Sequence, residues 1–79
     1  MSAEVTVRLF AAAREAAGAS ELRVAPGPIG ARLHELGLGD RFDAVLAICT
    51  LLCDGRRLEP ADEVAAGRCV DVLPPFAGG

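Results

Sequence analysis

Two alternating segments stand near opposite ends of this 79-residue chain. Val5-Thr6-Val7-Arg8-Leu9-Phe10, with Val5, Val7 and Leu9 on one face, and Val70-Asp71-Val72 alternate apolar and polar side chains, the period of a strand with one buried face. A chain of this length forms one small domain and hides only about 60% of its unfolded surface from water. Both segments must therefore serve one core. That core is thin, because 15 of the residues in the 52% hydrophobic fraction are alanine. A bound partner can add stability to such a domain.

Between the two end strands the order of elements reads clearly. Ala11 to Ala17 is strong helix-forming sequence, with Gly18 as its C-terminal stop. Glu21-Leu22-Arg23-Val24 reads as a second strand, ended by the turn cluster Pro26-Gly27-Pro28. Ile29, Leu33 and Leu36 follow at helical spacing, broken by Gly37 and Gly39. Asp40 is placed to cap a further turn or two that carries Phe42, Val45 and Leu46 to the core. Ala47 to Cys53 is a continuous apolar run, expected as a central strand buried on both faces. Asp54-Gly55 is a hairpin turn returning through Arg56, Arg57 and Leu58. Glu59 to Gly67 reads as irregular before the last strand. This order predicts a single twisted sheet with a helix across one face, an α+β arrangement. Pairing the two chain ends as neighbours, with a helix in the crossover, is the β-grasp or ubiquitin-like arrangement.

Beyond Leu73 the sequence changes character. Neither Pro74 nor Pro75 can donate a backbone N–H, so together they end the ladder. Pro-Pro also favours an extended backbone, which predicts a projecting segment, Pro74 to Gly79, able to reach about 20 Å. Phe76 lies past the prolines and reads as a partner contact or as packing on the domain edge. Gly78 and Gly79 have no Cβ and can thread a channel too narrow for side chains. The expected division is a folded domain at 1–73 and a flexible tail at 74–79.

The ending Leu73-Pro74-Pro75-Phe76-Ala77-Gly78-Gly79 resembles that of the MoaD/ThiS sulfur carriers, most closely the MoaD branch, the small subunit of molybdopterin synthase. Arg8-Leu9-Phe10-Ala11, with Arg14-Glu15 and Gly18, is similar to the family's opening strand and first helical turn. Cys53-Asp54-Gly55-Arg56-Arg57, with Gly67, resembles its closing half. The middle, Pro26 to Gly39, is shorter and richer in glycine than that family's helix region. The resemblance implies a ubiquitin-like β-grasp domain, a mixed sheet on one main helix. It also implies a reactive group at the carboxylate of Gly79, adenylated and then converted to a thiocarboxylate. Gly78, Ala77, Phe76, Pro75 and Pro74 would occupy a partner's channel. The implied partners are a ubiquitin-activating-type adenylating enzyme (MoeB-like), a sulfur donor protein and a large synthase subunit (MoaE-like). ATP is consumed by the activating enzyme, and no cofactor is held permanently by this chain. Carriers for thiamine, cysteine or secondary-metabolite synthesis, and ubiquitin-like protein modifiers, remain alternatives, as does a plain interaction module.

Other classes find little support. Net charge is −3 with no basic run, against binding driven by phosphate neutralisation. The longest uncharged stretch, Ala44 to Cys53, is too short to span a bilayer. Met1-Ser2-Ala3-Glu4 leads into a strand without a secretory pattern, and a cytoplasmic location is expected. Cys49, Cys53 and Cys69 make no CxxC pair, so they read as reduced packing thiols and not as zinc ligands. His34 reads as a surface residue, and Asp62-Glu63 as solvated charges. No nucleophile–base pattern or phosphate-binding loop is present, so the chain is expected not to turn over substrate alone. All eight basic residues are arginine. With no lysine in the sequence, it cannot be linked into chains through its own ε-amino groups.

Overall fold

The computed structural model describes residues 3–75. The opening alternation forms β1 (Val5–Leu9), with Val5, Val7 and Leu9 buried. It runs into α1 (Ala11–Ala17), which ends where Gly18 takes a left-handed φ of 73° and returns its N–H to the Arg14 carbonyl at 2.9 Å. The missing Cβ makes that conformation accessible. β2 (Glu21–Val24) then lies antiparallel to β1.

The turn cluster after β2 contains a two-residue strand, β3 (Gly27–Pro28). α2 (Ile29–His34) buries Ile29 and Leu33, and α3 (Asp40–Leu46) buries Phe42. The helical side, expected as one main helix, is thus α2 and α3 in series beside α1. Gly37 and Gly39 adopt φ of 63° and 107° between them, which breaks the helical path. Asp40 is the first residue of α3 and not its cap. Gly39 holds the cap position, without a side-chain hydrogen bond.

The apolar run after α3 does not become a strand buried on both faces. Ala47, Ile48 and Cys49 continue the last helical turn, their N–H groups bonding Asp43, Val45 and Leu46 carbonyls at 3.1 Å. Ile48 is 60% exposed. β4 is only Thr50–Cys53, and its buried residues are Leu51 and Cys53. No layer of described residues covers the other face. Asp54 (φ 53°) and Gly55 (φ 76°) make the turn into β5 (Arg56–Leu58), with both residues at the positive φ that a tight hairpin of matching twist requires. The stretch expected as irregular contains β6 (Glu63–Val64), antiparallel to β3. β7 (Cys69–Leu73) closes the fold.

The main sheet has the order β2-β1-β7-β4-β5, with β1 and β7 parallel and the remaining pairs antiparallel. β3 and β6 form a separate two-stranded sheet. This is the expected mixed β-grasp sheet, packed by one face on the helices. Val5, Val7, Leu9, Val70 and Val72 meet Ala13, Ile29, Leu33 and Phe42 in one apolar cluster. At ordinary values for buried aliphatic and aromatic side chains, each large member contributes about 1.5–3 kcal/mol relative to exposure. Among the described residues no polar side chain is buried, and no helix is long and apolar enough to cross a membrane.

Candidate functional site

β7 is the root of the candidate site, and its position follows from its sequence. Val70 and Val72 are fully buried on the helix side, so Cys69, Asp71 and Leu73 fall on the opposite face by the two-residue period. In register, Val70 and Val72 lie beside Val7 and Leu9 of β1 and beside Cys53 and Leu51 of β4. The strand therefore has a hydrogen-bonded neighbour on each side. The ladder is carried one step further by the Phe10 N–H, which donates to the Val72 carbonyl at 3.3 Å.

On the open face a side-chain clamp ties the same two strands. Arg8 Nε donates to Asp71 Oδ1 at 2.7 Å, and a terminal nitrogen donates to Oδ2 at 3.0 Å. This two-bonded geometry is the strongest form of an arginine–carboxylate pair. The hydrogen bond and charge of Asp71 raise the guanidinium pKa above its ordinary value. The Arg8 guanidinium carbon also lies 5.9 Å from the Phe10 ring centre, within cation–π range. β7 stops at Leu73, as the two prolines require. Pro74 is buried and Pro75 is exposed, so burial outlasts the ladder by one residue. Phe76, Ala77, Gly78 and Gly79, the rest of the expected tail, lie outside the described residues.

The remaining polar residues are not gathered at this root. His34 is exposed on α2, with Nδ1 3.5 Å from Asp43 Oδ2. Asp62 uses its carboxylate to accept the Glu59 N–H at 2.8 Å, which makes it a loop brace and not half of an acid–base pair. Cys49, Cys53 and Cys69 are free thiols. Cys49 donates to the Val45 carbonyl at 3.1 Å, and burial pushes its pKa above the ordinary thiol value, the wrong direction for a nucleophile. Among the described residues no three His, Cys, Asp or Glu side chains come together as metal ligands would.

One feature was not foreseen from the sequence. A cavity of about 530 Å³ opens between β5 and β6, lined by Arg56, Arg57, Leu58, Glu63, Val64 and Arg68 among others. The doublet Arg56-Arg57 was its only local signal, and nothing nearby in sequence shows that β6 lies across from it.

No protein-family model matches this chain, and no curated protein matches it. Solved structures do. The Methanosarcina acetivorans small archaeal modifier protein 1 is 29% identical, with a TM-score of 0.67, over 100% of this chain and 99% of that one. The Haloferax volcanii protein HVO 2177 is 28% identical, with a TM-score of 0.71, over 99% and 88%. The Haloferax volcanii small archaeal modifier protein 1 has a TM-score of 0.78 at 24% identity, over 96% and 99%. The chain thus shares the ubiquitin-like β-grasp fold of small archaeal modifier proteins across its length. Its resemblance to the molybdopterin branch rests on the sequence motif alone.

Proposed function

We propose that this chain is a ubiquitin-like carrier working through the carboxylate of Gly79. One observation carries the reading: β7, held by neighbours on both sides, runs in sequence directly into Pro74-Pro75-Phe76-Ala77-Gly78-Gly79. A strand fixed on both sides gives the following segment a rigid root, while glycine gives its end clearance in a narrow channel.

The chemistry lies in activation. A carboxylate is a poor electrophile, so an activating enzyme joins it to the AMP portion of ATP and releases pyrophosphate. Attack on the Gly79 carbonyl carbon by the outer sulfur of a donor persulfide expels AMP and forms an acyl disulfide. A second thiol then takes the donor's sulfur as a disulfide, breaking the S–S bond and leaving the thiocarboxylate. That sulfur is then a nucleophile softer than oxygen and is passed to an acceptor enzyme. The Leu73-to-Gly79 motif favours the large subunit of molybdopterin synthase as acceptor. In that complex Gly78 and Ala77 would thread the partner's channel, while Pro74, Pro75 and Phe76 set the angle of entry. A second reading is supported by the likeness to proteins named as modifiers. In it the activated carbonyl is attacked by a lysine amine of another protein, AMP leaves, and an isopeptide bond forms.

The test is the intact mass of the protein recovered from a host that supplies the activating enzyme and a sulfur donor. A gain matching one oxygen replaced by sulfur, absent in a Gly79-deleted control, supports the carrier. A ladder of lysine conjugates without that gain selects the modifier. An unchanged mass and no conjugates under active conditions overturns both.

A further inference from the structure

The main sheet ends at β2 on one side and at β5 on the other, and the two edges present different patterns of charge. β2 pairs only with β1. The Leu9 N–H donates to the Ser20 carbonyl at 2.9 Å, and Arg8 lies opposite Glu21. Bonded and non-bonded pairs alternate along an antiparallel ladder, so Ser20, Leu22 and Val24 turn their main-chain groups toward β1. Glu21 and Arg23 turn theirs outward. Among the described residues no backbone group takes up that outward row, which is the kind of edge an added strand completes.

The same two residues carry opposite charges. Both side chains lie on the open face, in register with Arg8 and Thr6, and Arg23 is 3.2 Å from Glu21 with each about half exposed. Arg8 is already committed to Asp71. An antiparallel copy of β2 centred on Leu22 sets Glu21 opposite the copy's Arg23, and Arg23 opposite the copy's Glu21. Both pairs fall at hydrogen-bonded positions, where the two residues exchange N–H and C=O bonds. Centring the copy on Glu21 or on Arg23 meets the same backbone rule but sets like charge directly against like, which is destabilising. Charge therefore selects one register. In that register the partly buried Leu22 meets its own copy at a non-hydrogen-bonded position, where side chains come closest. The flanks fit as well, with Ser20 opposite Val24 and Ala19 opposite Ala25, so no long side chain intervenes.

β5 is guarded against the same event. The Asp54-Gly55 turn makes Cys53 and Arg56 the closing pair of its hairpin, which leaves Arg57 as the outward residue. A copy of β5 centred there would set Arg57 against Arg57. Self-pairing is thus confined to one edge and closes at two copies.

We infer that β2 is a self-recognition edge, through which two copies of this chain join antiparallel and two-fold symmetric into one continuous sheet. The contact is four residues long on each strand. Its area lies at the low end for protein interfaces, below about 1,200 Å², where weak and transient contacts are found. β1 is antiparallel to β2 and parallel to β7, so β7 and its copy run in opposite directions. The two chains leave β7 at opposite ends of the dimer, and neither β7 is covered by the contact. The inference stands whether or not Gly79 is modified.

The experiment is a concentration series of the full chain, followed by sedimentation and by NMR amide spectra. The expected result is a monomer–dimer equilibrium half complete at about 0.1–1 mM, with amide shifts over residues 19–25 and none at Arg57. Glu21→Arg and Arg23→Glu should each weaken self-association by at least about tenfold, because each sets like charges together. Mixed in equal amounts, the two variants should pair with one another as strongly as the parent chain does with itself. The double exchange, Glu21→Arg with Arg23→Glu, should restore pairing within one protein. Loss of an ion pair inside the strand would produce neither rescue. Should a variant lose its dispersed spectrum, the shifts of the unaltered chain carry the test. The inference is overturned by a chain that stays monomeric at millimolar concentration, or by shifts confined to β5 or to the sheet face away from β2. It is equally overturned by single variants that associate like the parent, by a mixture that does not pair, or by growth beyond the dimer.

Discussion

The middle of the main sheet and its β5 side are built on opposite rules. β7 has a hydrogen-bonded strand on each side and two fully buried valines. β5 has one neighbour, and its two arginines are exposed. The segment leading to the candidate reactive carboxylate is rooted where the backbone has least freedom. The open backbone edge lies where the sheet runs out, beside β5. Interior and edge strands of a small domain differ in this way in what they leave unsatisfied.

Substitutions test the contrast most directly through stability. Phe42→Ala removes the largest fully buried side chain beneath the sheet and should cost about 3–5 kcal/mol in urea unfolding. Within a total near the low end of about 5–15 kcal/mol, that leaves the variant partly unfolded at 37 °C. A loss below about 1 kcal/mol would show that the centre is not what holds the molecule together. Gly30→Ala probes the brace between α2 and the segment before β6, since a Cβ there would lie 2.6 Å from Pro60 Cβ and 3.0 Å from its carbonyl oxygen. An overpacking cost of about 1–3 kcal/mol is expected, and an unchanged midpoint would mean that the β6 side yields freely.

Gly55→Ala forces a Cβ into φ +76° at an open position, and about 1–2 kcal/mol should be lost from conformation alone. On β5, Arg56→Glu with Arg57→Glu should alter stability by no more than about 0.5 kcal/mol, because both arginines are exposed and neither makes an ion pair among the described residues. A larger loss in equilibrium unfolding would assign them to the fold and blur the contrast.

The smallest effect is one of pH. The Cys49 thiol has a pKa raised by burial above 9.0, so the folded state keeps its proton where the unfolded state has lost it. Its contribution is complete below the unfolded value and is lost as pH rises through the folded one. Cys49→Ser should therefore flatten a shallow alkaline decline in stability, followed by thermal unfolding from neutral pH to beyond the ordinary thiol value of 9.0. An identical decline in both proteins would remove Cys49 as its source.

Much of the fold was legible because local chemistry specifies it. The two-residue period gave β2 at the boundaries observed and β1 but for Phe10, which instead caps α1; Gly18 ended α1, and Asp54-Gly55 made the hairpin. The apolar run from Ala47 misled, since apolar content cannot tell a strand from the end of a helix. The tail motif was legible as residues, and Pro74 and Pro75 end the ladder as read. The cavity between β5 and β6 was not legible, because Arg56 and Glu63 come to line it only when separate strands are brought together.

The chain's sequence by itself determined where β2 begins and stops, which faces of β1 and β7 turn inward, and where the last ladder ends. These follow from side-chain period, proline's missing donor and glycine's freedom, all properties of a residue and its near neighbours. Only the tertiary structure decided that β7 lies between β1 and β4, that β3 and β6 pair through two residues each, and that residues of β5 and β6 line one cavity. Pairing joins groups distant along the chain, and a two-residue strand has no period to announce it. Those choices were made by which backbone groups remained to be satisfied once the core had closed.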